Sequence, residues 1–274
     1  MADNVVTTRD LKPDVLLRHK WTLLISATIF VIAILLVHLP RQFDMPVERL
    51  INDGAAKSAF VDDLFFDLDT YFSLSGAILV ALVWACWFGN ADLEMRTRLL
   101  VGTLVSLVAG AISRFLQHSL SSHPRPLYDQ AFDFHAPLVA NQTPLNTWDS
   151  FPSDHAAVFC GLALVIFLAR PRLGLAAAAW LGLFELSRAY MGVHYPTDLV
   201  GGAALGAFIV SLGQAPAAVS WGKRVVRRER SSPALFYMGA FFISYQIATL
   251  VQDFRSMAGG VHLIYEIKRA IAYH

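Results

Sequence analysis

Ser187-Arg188-Ala189-Tyr190-Met191-Gly192-Val193-His194-Tyr195-Pro196-Thr197-Asp198 lies between two apolar runs, Leu173 to Leu186 and Leu199 to Leu212. A polar break between runs of that kind divides one membrane span from the next. Pro196 suits the first turn of a new helix, and Thr197 and Asp198 suit that turn too. His194 then sits just before the helix and Asp198 just inside it, four residues on. A carboxylate there accepts a hydrogen bond from one imidazole nitrogen and leaves the other free to attack. Arg188 offers a planar fork for an oxyanion. The plainer reading is an interfacial loop that holds a salt bridge.

Composition favours the membrane. Of 274 residues, 55% are hydrophobic and only 16% charged. The mean hydropathy is +0.49, too apolar for a soluble domain of this length. A formal net charge of +1 implies no nucleic-acid partner. Cys86 and Cys160 fall inside apolar segments with no CxxC, which argues against a disulfide framework or a zinc site.

Outward from the opening stretch, the sequence predicts an all-α polytopic transmembrane bundle. Its expected spans are Trp21 to Leu39, Leu74 to Phe88, Leu99 to Leu116, Ala156 to Ala169, Leu173 to Leu186, Leu199 to Leu212 and Ala234 to Val251. The first is long enough to serve as a retained anchor rather than a cleaved signal. The chain divides into a cytoplasmic tail (1–20), a six-span core (21–214), a basic cytoplasmic loop (215–233), a seventh span (234–251) and a tail (252–274). Residues 41–70 are rich in aspartate, but Phe60, Leu64, Phe65 and Leu68 recur near helical spacing. They predict an amphipathic helix on the membrane surface, with a solvated loop as the alternative. Gly202 and Gly206 have the four-residue spacing that lets helices approach closely. Arg96, Arg98, Arg170, Arg172 and the five basic residues between 223 and 230 fall in segments that share one side of the membrane. By the inside-positive rule that side is cytoplasmic. The 117–151 loop and the opening stretch then share the outer face.

Three clusters fall on that face. The first runs from His118 to Pro126, where two prolines restrict the backbone around Arg125. The second is Phe151-Pro152-Ser153-Asp154-His155, where Ser153 is a good N-cap and the first turn's N–H groups favour an anion. The third is the opening stretch. Together they supply arginines, a helix N-terminus, two histidines and a carboxylate, which suits phosphoryl transfer through a phosphohistidine. Glu185 and Arg114 lie near the outer ends of spans and are expected to pair, Glu185 with Arg114 or with Arg188. His123 and His135 read as solvated loop histidines.

The order and spacing of these clusters resemble the type 2 phosphatidic acid phosphatase superfamily. Its third signature matches without gaps at Ser187, Arg188, His194 and Asp198. Its second appears as Pro152-Ser153-Asp154-His155, with Asp154 where the general pattern has glycine, a form similar to that of bacterial undecaprenyl-diphosphatases. Its first matches at Arg125-Pro126, with His118 at the lysine position. The resemblance covers roughly Leu99 to Leu212. It implies a six-helix core and an integral membrane hydrolase acting on a lipid phosphate, foremost undecaprenyl diphosphate, at the outer face of a bacterial inner membrane. His194 becomes the nucleophile, Asp198 its orienting partner and His155 the general acid and then base. Arg125, Arg188, Ser153 and His118 hold phosphate, with Arg114, Asp154 and Glu185 behind them. No metal or cofactor is implied, although Asp154 beside His155 keeps a metal in view. Alternative readings are a broader phosphatase of phosphatidic acid or phosphatidylglycerol phosphate, a lipid phosphotransferase, and a scaffold whose first signature has decayed.

Overall fold

The computed structural model describes residues 13–39, 43–89, 92–120, 122–138 and 149–252. The helices are α1 (Pro13–Val37), α2 (Asp44–Asn52), α3 (Ala59–Thr70), α4 (Phe72–Phe88) and α5 (Leu93–Ser119), then α6 (Asp154–Ala169), α7 (Pro171–Tyr190), α8 (Pro196–Gly213), α9 (Pro216–Ser231) and α10 (Pro233–Ala248). A 3-10 turn occupies Pro126–Tyr128, and no strand occurs among the described residues. The fold is all-α, as the sequence predicts. Proline starts α7, α8, α9 and α10, where its missing N–H costs no hydrogen bond. Asp92 caps α5 by accepting from the N–H groups of Glu94 and Met95.

The seven expected spans correspond to α1, α4, α5, α6, α7, α8 and α10. Lys20–Val37, Leu93–Ser119 and Pro196–Gly213 are each long and apolar enough to cross a membrane alone. Ala59–Thr70 and Ser73–Phe88 qualify together, as a pair bent by 60°. Asp154–Ala169 is apolar but has only 16 residues. That is about 24 Å of helix against a hydrocarbon core of about 30 Å. Its surroundings explain the shortness. α6 packs against α4, α5, α7 and α8, and most of its side chains are buried in protein rather than facing lipid. α6 and α8 approach each other closely. A Cβ on Gly202 would lie 2.3 Å from the Ser153 carbonyl oxygen, and one on Gly206 would lie 2.0 Å from that of Ala157. Those two glycines bring the start of α8 against the start of α6.

Two segments differ from expectation. The acidic stretch forms two helices, and α3 turns acids inward. Asp62 and Asp69 are seven residues apart and share a face, which packs on α7. Asp62 accepts from the Tyr190 hydroxyl at 2.5 Å, and Phe65 stacks on the Tyr190 ring at 4.4 Å. Phe60 and Leu64, part of the apolar face expected on the membrane surface, are exposed on the side of α3 away from these contacts. The basic segment 215–233 is a helix rather than a loop. Val219, Gly222 and Val226 form a buried stripe on α9, which packs against α5, and the basic residues lie around it. The N-terminal helix starts at Pro13, inside the stretch read as a tail. The expected tail lies, from residue 253 on, outside the described residues.

Candidate functional site

The three clusters meet where α5 and α7 end and α6 and α8 begin. The α6 cap locks that junction. Ser153 Oγ accepts from Ala156 N at 3.3 Å, and Ser153 N donates to the Asp198 carbonyl oxygen at 3.0 Å. Ser113 and Gln117 of α5 both donate to the Pro152 carbonyl oxygen, at 3.0 and 2.6 Å. Gly192, at φ +69°, makes the turn that returns the chain from α7 towards α8.

His194 lies between an arginine and a carboxylate. Its Nε2 lies 3.3 Å from Arg125 Nη1, and its Nδ1 lies 3.5 Å from Asp198 Oδ2. A guanidinium only donates, so Nε2 accepts and the neutral ring carries its proton on Nδ1, facing Asp198. Asp198 Oδ2 accepts from Tyr195 N at 2.8 Å, which fixes the carboxylate to the start of α8. Arg125 also donates through Nη1 to the Val193 carbonyl oxygen at 2.7 Å. Arg188 pairs with Asp69 at 2.7 Å.

The second histidine has its own carboxylate. His155 Nδ1 is 2.9 Å from Asp154 Oδ1, and Asp154 Oδ2 accepts from Arg114 Nη1 at 3.3 Å. Phe159 and Phe184 flank the ring at 6.1 and 5.9 Å. Asp154 orients His155 and takes the charge of Arg114.

The electrostatics follow from burial. Burial, reinforced by Arg125 and Arg188, pushes the His194 pKa down to about 4, against the pull of Asp198. The imidazole is therefore neutral and nucleophilic at neutral pH. Burial, with Arg188 next in weight, lowers Arg125 to about 10, so it stays charged. Two buried guanidinium groups, with no carboxylate paired to Arg125 among the described residues, favour an oxyanion between them. Among the described residues no three His, Cys, Asp or Glu side chains are grouped to hold a metal.

The structure thus brings His194, Asp198, Arg125, Arg188, Ser153, Asp154 and His155 together. Three expectations change. Glu185 pairs with neither arginine. Arg188 is engaged by Asp69 and Arg114 by Asp154, and both Glu185 carboxylate oxygens are buried without a hydrogen-bond partner. His118 is exposed, with Nδ1 2.8 Å from the Arg114 carbonyl oxygen. Arg114, one turn earlier on α5, carries its charge into the second cluster through Asp154. His123 is buried, not solvated. Its Nε2 lies 3.6 Å from Asp198 Oδ1, its Nδ1 lies 2.9 Å from Ser150 Oγ, and its ring meets Tyr195 edge-on at 4.8 Å.

Sequence reasoning also missed Asp69 and the acids of α2. Asp44 accepts from Thr197 N at 2.9 Å and from the Thr197 hydroxyl, which ties α2 to the start of α8. Glu48 is fully buried, and burial with nearby Asp198 and Asp44 raises its pKa to about 9. The signal for Asp69 was its two-turn spacing from Asp62.

Arg114→Ala is expected to lower kcat/KM about 10- to 100-fold, because it strips the counter-charge from the carboxylate that orients His155. His118→Ala is expected to stay within about twofold, with an unchanged pH–rate profile, since an exposed side chain away from reacting atoms contributes little. Paired pH–rate profiles on the two variants check this. A lost basic limb in His118→Ala would instead assign the cationic corner to the histidine.

Comparison with known proteins places these residues in context. Residues 97–215 match the PAP2 superfamily. The bacitracin transport permease protein BcrC of Bacillus licheniformis is 26% identical over 170 residues, covering 60% of this chain and 76% of that protein. An undecaprenyl-diphosphatase of Sulfolobus acidocaldarius is 31% identical over 115 residues, covering 40% of this chain and 50% of the relative. A solved transmembrane PAP2-type phosphatidylglycerolphosphate phosphatase from Bacillus subtilis superposes with a TM-score of 0.45 at 21% identity, over 69% of this chain and 93% of that one.

Proposed function

We propose that this chain, whose residues 97–215 match the PAP2 superfamily, is an integral membrane phosphatase that removes the terminal phosphate of undecaprenyl diphosphate through a phosphohistidine on His194. The observation that carries this reading is the buried His194 ring, with Arg125 at Nε2 and Asp198 at Nδ1. Nε2 attacks the terminal phosphorus while the bond to the bridging oxygen breaks. Arg125, Arg188 and the start of α6 behind Ser153 stabilise the equatorial oxygens. Nδ1–H faces Asp198, which offsets the positive charge the ring gains. His155 gives a proton to the departing lipid phosphate. In the second step His155 takes a proton from water, the water oxygen attacks phosphorus, and inorganic phosphate leaves with His194 neutral again. The protein groups suffice for both steps without a metal. Arg114 fills the role of cation behind the second cluster.

The lipid diphosphate is supported by the name of the Sulfolobus relative and by a phosphate site set among apolar helices. The outward orientation is supported by charge. Arg96, Arg98, Arg170, Arg172 and the basic face of α9 gather at the helix ends opposite the cluster, and the inside-positive rule makes that end cytoplasmic.

Sealed vesicles of known orientation test both points. Right-side-out vesicles should release phosphate from added farnesyl diphosphate, whose charged head does not cross the bilayer. Inverted vesicles should do so only after permeabilisation. Purified protein should prefer a polyprenyl diphosphate to phosphatidic acid, with or without chelator. Activity in inverted vesicles alone would overturn the orientation, and a preference for phosphatidic acid would overturn the substrate.

A further inference from the structure

A cavity lies well away from the histidines. It has a volume of about 530 Å³, within the range of ligand pockets, and sits between α4, α5, α9 and α10. Val80, Trp84, Leu104, Leu235 and Ile243 line its body. Arg228, Ser231 and Ser232 stand at its α9 end, and Thr103 and Ser244 add hydroxyls farther along the lining. The α9 wall packs on Thr97 and Val101 of α5, where a Cβ on Gly222 would touch both side chains. From Val101 to Arg114 the helix rises about 20 Å, so this end lies across the bundle from the catalytic cluster.

The charges of α9 are unevenly matched. Lys223 pairs with Glu94 at 2.6 Å, and Glu229 pairs with Arg96 at 2.9 Å. Arg224, Arg227, Arg228 and Arg230 have no carboxylate partner among the described residues, and all four are exposed. An apolar slot that runs from an unpaired arginine into the depth of the bundle has the polarity of one lipid molecule. A neutral apolar ligand would leave the Arg228 end of the slot unused. A soluble anion would leave the slot unfilled.

We propose that this cavity is a non-catalytic site for an anionic phospholipid of the surrounding bilayer, with one acyl chain between α4 and α10 and the phosphate against Arg228 and the adjacent serines. The neighbouring arginines add attraction for the anionic head group. The lipid joins α9 and α10 to α4 and α5, and so fastens the last span to the core.

Gly239 gives a clean test, because it lines the cavity and a Cβ there meets nothing within 4 Å. Gly239→Trp fills the slot without a backbone clash. The full chain, purified and equilibrated with equal phosphatidylglycerol and phosphatidylcholine, is weighed with its retained lipids by native mass spectrometry. Wild type should retain phosphatidylglycerol about fivefold over phosphatidylcholine. Gly239→Trp should lose the retained lipid, and Arg228→Ala should lose the preference while keeping a lipid. Hydrolysis of farnesyl diphosphate reports that each variant is folded. Equal retention of the two lipids by wild type would overturn the proposal, as would a Gly239→Trp variant that retains phosphatidylglycerol like wild type.

Discussion

His194→Ala should reduce turnover by at least about 10⁴-fold, because the covalent step then has no nucleophile. Among the described residues, the two other histidines of the cluster have partners of their own. His155 is tied to Asp154 and His123 to Ser150. Brief incubation of wild type with radiolabelled polyprenyl diphosphate, followed by quenching in alkali, should leave one base-stable, acid-labile phosphate on the protein. The alanine variant should leave none. A second readout is the acid limb of kcat/KM, which reports the free enzyme. Burial and the two arginines push His194 down to about 4. A lowered histidine pKa keeps the neutral, nucleophilic ring populated down to that pH, so the limb from this group should lie near 4 rather than near the ordinary 6.5. A variant that keeps wild-type turnover, or that still takes up the label, would reject the nucleophile assignment. Size exclusion and thermal unfolding of the variant separate loss of chemistry from loss of fold.

How far the site was legible depended on sequence separation. His194 and Asp198 stand four residues apart across a helix start, and Pro196 marks that start, so local rules placed them correctly. Ser153 as the α6 cap and the close approach at Gly202 and Gly206 were local signals too. The partners of these groups were not local. Arg188 and Asp69 are 119 residues apart, and Asp44 and Thr197 are 153 apart. Periodicity says which residues share a face, but not which helix that face meets. This is why Glu185 was assigned an arginine that Asp69 takes. It is also why α3 was oriented by its phenylalanines when Arg188 and Tyr190 draw its acids inward. The basic segment was misread for a different reason. Its charge density hid the three- and four-residue spacing of Val219, Gly222 and Val226, which already described a packed helix.

His155→Ala should separate two classes of substrate. With a polyprenyl diphosphate the departing group is a phosphate monoester, whose second pKa is about 6, so it leaves with little help from an acid. Attack by water on the phosphohistidine still needs a base. The variant should release one equivalent of lipid phosphate rapidly and then stall, with phosphoenzyme accumulating. With phosphatidic acid the departing group is an alkoxide, which is far more basic. Its departure needs the proton that His155 supplies, so the first step itself should slow by about 10²- to 10⁴-fold and no burst should appear. Asp154→Asn should reproduce a weaker form of the same split, since it leaves the ring in place and removes the carboxylate that holds Nδ1 at 2.9 Å. Rapid-quench measurement of lipid product and of protein-bound phosphate on both substrates decides the matter. Equal slowing of both substrates without accumulation of phosphoenzyme would place His155 outside the proton transfers. Its carboxylate and flanking rings would then serve only to shape the pocket around His194.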